Sequence, residues 1–158
     1  MDFSPHDDLD DRLMARLRRR YGHASAERVV SGPGLRDIYA AIADAEPPYS
    51  DDRDLWAAAI DGSDPTAAAA LDRFCLCLGA FSGNIALAHG ANALVLAGGL
   101  GLRLREYLPR SGFAERLTAK GEYRSILEQL PVKLIAHPEP GLYGAAAAFA
   151  ARFPDSRT

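Results

Sequence analysis

The stretch LVLAGGLGL, Leu94 to Leu102, decides how this chain is read. An apolar run from Leu94 to Ala97 stops at Gly98-Gly99, and helix-compatible residues resume after it. Glycine has no Cβ, so it permits positive φ and lets a backbone touch another surface at little steric cost. Two readings follow. The pair is either a plain strand-to-helix turn or a platform for a flat ligand, since open α/β sheets collect ligands at the carboxyl ends of their strands. The residues alone leave both open.

Working outward, Asp64 followed by Pro65 is a helix start, an oxygen-bearing cap with proline at the first helical position. Leu71, Phe74, Leu78, Phe81, Ile85 and Leu87 carry a long helix to His89, closed by Gly90. Ser82, Gly83 and Asn84 lower its intrinsic propensity, which points to close packing at that level. After the expected strand over 94–97, the pattern predicts a helix over 102–108, short charged helices over 113–130, a second strand over 132–136 and an alanine-rich helix over 142–152. On the amino-terminal side, Leu9, Leu13, Leu17 and Tyr21 mark an amphipathic helix ending at Gly22. A short piece from Ser25 follows, then helices through Leu35 to Ile42 and Leu55 to Ile60. The order strand, helices, strand, helix predicts a parallel pair with a right-handed crossover, hence an α/β fold. A parallel pair normally has both faces covered and further strands beside it, so the sheet reads as incomplete.

The 158 residues suffice for one domain with a core of its own. A formal net charge of -3 lacks the clustered basic excess that binds nucleic acid. Arg16, Arg18, Arg19 and Arg20 follow Asp7, Asp8, Asp10 and Asp11, the order that suits a helix dipole. Cys75 and Cys77 point to different sides of a helix and read as reduced, buried thiols of a cytoplasmic protein. No secretory signal opens the chain, and the apolar tract over 85–102 is broken by His89, Asn92 and glycines, so no membrane span is expected.

Candidate chemistry is sparse. Gly99-Leu100-Gly101 starts a dinucleotide fingerprint, but Leu104 stands where its third glycine belongs. SGPGL, Ser31 to Leu35, lacks the lysine of a phosphate loop, and its proline removes a donor, so it reads as a helix start. His6, His23, His89 and His137 form no metal-ligand spacing with each other or with an acid, and the two cysteines lack a second pair. His137, before a proline turn, reads as a capping residue. No nucleophile with a base and no carboxylate pair in an apolar context is visible, and Glu115, Glu122 and Glu128 read as solvated. The chain shows binding features without a catalytic engine.

Five segments in register carry a resemblance: ERVVSGPGL (Glu27 to Leu35), FSGNIAL (Phe81 to Leu87), LVLAGG (Leu94 to Gly99), SGF with AKGEY (Ser111 to Phe113, Ala119 to Tyr123), and PVKLIAHPEPGLYGAAA (Pro131 to Ala147). Together they resemble the carboxyl-terminal part of the bacterial glucokinase family. The resemblance implies an incomplete actin-like (ribonuclease H-like) sugar-kinase lobe, mostly helical with two parallel strands. Residues 1–158 would form the carboxyl-terminal segment of the large, nucleotide-side lobe, with the amino-terminal lobe absent. It also implies ATP with magnesium as phosphoryl donor, ADP as product and glucose as acceptor at its 6-hydroxyl. LVLAGG falls on the family's adenosine motif, which assigns Ala97, Gly98, Gly99 and Leu100 to the nucleotide, with the long helix beneath the strand and its small residues near the cleft.

The family's D-x-G-x-T phosphate motif, catalytic aspartate and second glycine-rich phosphate loop have no counterpart here. Its E-G-G-H-V-D-F segment, whose glutamate and histidine contact the sugar, is matched only in its tail by Met1-Asp2-Phe3. The resemblance therefore implies no catalytic residue in this chain, and an isolated polypeptide that is inactive. The edge of the Leu94 strand would lie open, so self-association, as a homodimer or through edge pairing, is expected. Two alternatives stand beside this reading: a non-catalytic oligomerising or regulatory nucleotide-binding module, and an unrelated α/β nucleotide-binding domain that shares the glycine turn.

Overall fold

Local signals start and stop the helices. In the computed structural model, which describes residues 1–153, helix α1 (Asp8–Tyr21) begins where the Asp7 carboxylate accepts the Asp10 N–H at 3.1 Å and ends at Gly22. The chain before it is stitched down by an Asp2–Ser25 bridge and by Phe3, whose N–H donates to the Ala24 carbonyl at 3.0 Å. Helix α2 (Ala26–Val29) is one turn capped by Ser25, and α3 (Gly34–Ala43) follows the Ser31-Gly32-Pro33 turn. Helix α4 (Asp52–Asp61) is capped by Asp51. Asp64 caps α5 (Pro65–His89) by accepting the N–H groups of Thr66 and Ala67, and Gly90 closes it.

Helix α5 is the central pillar. Its stretch over 65–89 is long and apolar enough to cross a membrane by length and composition, but more than half of its apolar window is buried, packed against α3, α4 and α7 (Phe113–Thr118). Trp56 meets Phe74 edge-on with ring centroids 5.2 Å apart, and Leu71 and Cys75 are fully enclosed beside them. Opposite, α7 comes so close that a Cβ on Gly79 would lie 2.2 Å from the Phe113 carbonyl oxygen, and one on Gly83 would lie 2.4 Å from that of Leu117. Of the small residues foreseen in this helix, Gly83 serves the α5–α7 contact and Ser82 lines the cleft described below; Gly79 joins the contact without having been foreseen.

Strand β1 (Leu94–Leu96) pairs in parallel with β2 (Val132–Leu134), Leu94 opposite Val132 and Leu96 opposite Leu134. Between them run α6 (Gly99–Leu104), a 3-10 turn at Leu108–Arg110, α7, a second such turn at Gly121–Tyr123, and α8 (Arg124–Glu128). Helix α9 (Pro140–Arg152) follows β2. The mostly helical α/β organisation with two parallel strands is as expected.

Three expectations are corrected. The strand over 94–97 is not buried: it ends at Leu96 and Val95 is 53% exposed, because nothing in the described chain covers the face of the sheet to which Val95 points. Helix α6 starts at Gly99 rather than Leu102 and ends at Leu104, since glycines at a helix start carry little of the cost they have in its interior. Helix α5 faces the strand, as expected, but across an apolar cleft and not in tight contact with it.

An ion-pair network ties α1 to α5 and α7. Arg73 donates to Asp7 at 2.6 Å and to Asp10 at 3.2 Å, and Arg116 lies 3.4 Å from Asp7 and 3.8 Å from Asp10. Asp10 sits on the same face as Leu13, Met14 and Leu17 and is fully buried. Burial raises the Asp7 pKa, but the Arg73 hydrogen bond, the Asp10 N–H and Arg116 outweigh it and hold the carboxyl at about 2. The arginine cluster on α1 is likewise structural in part: Arg16 and Arg20 both reach Glu46, and Arg20 lies 3.6 Å from Asp37.

Two outcomes follow from these contacts. Gly79→Ala forces α7 outward and lowers unfolding stability by about 2–3 kcal/mol, the cost of overpacking a tight contact, as read by urea denaturation. The Asp7 contribution is fully present above its ordinary pKa of 3.8 and is lost as pH falls through about 2. An acid titration of stability followed by circular dichroism falls across that window, and Asp7→Asn flattens the fall.

Candidate functional site

The glycine pair stands at the seam between β1 and α6. After the exposed Ala97, Gly98 takes φ 93° and ψ 179°, a backbone state closed to residues with a Cβ, and its carbonyl accepts the Leu102 N–H at 3.1 Å. Gly99 is the first residue of α6, and no positive φ is required of it. A Cβ on either glycine would meet nothing within 4 Å, so the face they present is open. The pair is not glycine for want of room inside this chain. Only Gly98 needs to be glycine for its own backbone.

The helix behind the pair is held from three sides. Leu104 is fully enclosed, and Gly101 is buried against the end of β1. The Arg103 guanidinium lies over the Trp56 ring, 5.0 Å from its centroid, and Trp56 in turn donates its indole N–H to the Gly32 carbonyl at 2.8 Å. Just past α6, the Tyr107 hydroxyl donates to Asp72 on α5 at 2.7 Å; burial and that carboxylate keep the phenol protonated. An open glycine turn is thus mounted on a strapped helix.

An apolar cleft of about 320 Å³ borders the pair, between α5 and the β1–α6 corner. Ala97, Leu100 and Gly101 form one wall, Phe81, Ser82 and Ile85 the other. A larger apolar cavity of about 570 Å³ lies between the strands and the α7–α8 layer, walled by Leu96, Phe113, Leu117, Leu127 and Leu134. Ala97 and Leu100 therefore join the cleft, whereas Gly98 and Gly99 stand outside its walls, on the open face of the turn.

The other candidates resolve as structural. A Cβ on Gly34 would lie 2.2 Å from the Val29 carbonyl oxygen, and the Gly34 N–H is taken by the Ser31 carbonyl at 3.0 Å, so SGPGL is a packed helix start. His137 accepts the Glu139 N–H at 3.0 Å and packs against Tyr143, a contact of the turn that leads into α9, whose start has no side-chain cap; the capping role expected of it is not filled. Cys75 and Cys77 are free and buried; burial pushes the Cys75 thiol up to about 11 and Cys77 up as well, which leaves both unreactive. Glu115, Glu122 and Glu128 are exposed. Among the described residues no three His, Cys, Asp or Glu side chains converge on a metal-sized site.

Sequence reading missed the Asp10 network. Its signal was present: an aspartate in register with Leu13 and Leu17 lies on the apolar stripe, where a carboxylate needs a partner. The straps on α6 left no such signal, because Trp56 and Arg103 meet only in the folded chain.

Comparison with known proteins gives a consistent answer. The family profile described as Glucokinase matches residues 1–152. The glucokinase of Zymomonas mobilis is 51% identical over 98% of this chain and 49% of that protein, and a Yersinia pestis glucokinase is 40% identical over 93% and 47%. A crystal structure of a glucokinase from an Antarctic psychrotroph superposes with a TM-score of 0.84 at 34% identity, over 96% of this chain and 48% of that one. The chain spans about half the length of the curated relatives it matches.

The strain at Gly98 can be measured without any ligand. Gly98→Ala lowers unfolding stability by about 1–3 kcal/mol, whereas Gly99→Leu, at an unstrained and open position, leaves the thermal midpoint unchanged within error.

Proposed function

Because the chain belongs to the glucokinase family, we propose that it supplies the adenosine-holding part of an ATP-dependent kinase that phosphorylates glucose at its 6-hydroxyl. Ala97, Gly98, Gly99 and Leu100 would lie against the adenine and ribose. The observation that carries this reading is the open, Cβ-free face at the end of β1, rigidly mounted yet not used by the chain's own packing. The apolar cleft beside Ala97 and Leu100 supports it, being the kind of lining that takes a heteroaromatic ring.

Phosphoryl transfer needs a base for the attacking hydroxyl and donors around the transferring group. Both belong to the part of the family's length that this chain does not span, so its own contribution is positioning: it fixes the nucleoside end so that the phosphates point one way. Magnesium would neutralise charge on the phosphate oxygens; the described residues offer it no ready-made cage, so it would arrive on ATP. The two buried thiols suit a cytoplasmic setting. A second reading, a non-catalytic oligomerising module, draws on the open edge of β1, which supports self-association when the chain is alone.

Isothermal calorimetry with magnesium-ATP separates the two. The chain binds nucleotide, and Gly99→Leu raises the Kd at least tenfold at unchanged thermal stability; no binding, or an unchanged Kd in the variant, refutes the platform and leaves the module. In a coupled assay the chain alone releases no ADP in response to glucose, and a glucose-dependent turnover contradicts the assignment of the base to the unspanned part.

A further inference from the structure

Ion pairs account for only part of the arginine cluster on α1. Arg12, Arg16 and Arg19 stand four and then three residues apart, with Arg20 beside them, so their guanidiniums share one side of the helix. Like charges at these spacings destabilise a helix unless something neutralises them. Glu46 serves Arg16 and Arg20 in that way. Arg12 and Arg19 are exposed and make no hydrogen bond or ion pair among the described residues. The Arg16 Nε is buried and has no hydrogen-bond partner among the described residues either, although another nitrogen of the same guanidinium holds Glu46. A buried donor on a cation is costly to leave unpaired.

The same side chains wall two hollows. One, of about 250 Å³, lies between Arg12, Arg16 and Arg19 on α1 and Ala40, Ala41 and Asp44 at the end of α3. The other, of about 260 Å³, is walled by Arg16, Arg19, Arg20 and Glu46. Arg16 and Arg19 line both, so the hollows adjoin as one groove, and the alanines of α3 leave it open.

We propose that this groove between α1 and the end of α3 binds the phosphoryl group of a small anionic ligand, with Arg12, Arg16 and Arg19 donating to its oxygens. The planar guanidinium fork matches phosphate oxygens in pairs. Four guanidiniums face the carboxylates of Asp44 and Glu46, which leaves a double positive charge, the complement of a phosphate monoester near neutral pH. Those two acids border the groove and would repel a polyanion running past it, which favours a small ligand over a nucleic acid.

The inference is independent of the nucleotide platform. The test titrates the full chain with inorganic phosphate at constant ionic strength and follows the arginine Nε–H resonances by NMR. The expected result is a saturable shift at Arg16 with a Kd of about 1 mM or below. Arg12→Gln and Arg19→Gln each weaken binding about tenfold, the loss of one charge-assisted hydrogen bond, at unchanged thermal stability. Arg18→Gln is the control: it removes the same charge from the same helix at an exposed position outside both hollows, and the Kd stays unchanged. A parallel titration with a hexose phosphate identifies the source of the phosphoryl group: equal affinities mean that it alone is read, and a tighter hexose phosphate means that the Ala40–Ala41 wall holds the sugar as well. Absence of saturation, an Arg18→Gln loss as large as that of Arg19→Gln, or binding of duplex DNA with no response to phosphate overturns the proposal. Gly99→Leu leaves the phosphate titration unchanged even where nucleotide binding is lost.

Discussion

The fold depends on how closely α7 approaches α5. With hydrogen at Gly79 and Gly83, the carbonyls of Phe113 and Leu117 press onto the helix at distances no Cβ tolerates. Glycine inside a helix costs about 1 kcal/mol relative to alanine, so two of them in one pillar require a return. That return is backbone-to-backbone contact along a buried seam, where Lys120 crosses Gly83 and donates to the Ala80 carbonyl at 3.0 Å.

A second constraint ties the amino-terminal helix to this pair. Asp7 reaches Arg73 and Arg116 across 66 and 109 residues of sequence, with Asp10 beside it on the same two arginines, joining the start of α1 to the pillar and to α7. Burying a carboxylate as completely as Asp10 is unfavourable unless its partners are placed well, so the network selects one arrangement more than it adds stability. The two constraints together complete the helical layer within this chain. The sheet gains nothing comparable: two strands of three residues, one free edge on β1 and a final helix that nothing in the described chain encloses.

This division explains what the sequence disclosed. Caps are local, so Asp64-Pro65, Gly22 and Gly90 placed helix ends from neighbouring residues alone. The parallel pair followed from the order of elements. Burial is not local: Leu94 to Ala97 reads as a core strand wherever both faces of its sheet are covered, and Val95 is exposed here because nothing in the described chain covers its face. Gly83 was noticed as small, but its reason lay 34 residues away in Leu117, beyond any periodicity. At the glycine pair, chemistry narrowed the reading to turn or platform, and the geometry makes it a turn at Gly98 with an open face at Gly99.

The position of that turn ties the glycine face to the sheet. Strand β1 carries the glycine pair at its carboxyl end and the free edge along its length, so one three-residue element borders both surfaces. Leu104, Arg103 and Tyr107 hold the helix on the far side of the turn, so the glycine face is positioned by α6 and its straps. An exposed edge and an open glycine face thus border one short strand, the first along its length and the second at its carboxyl end.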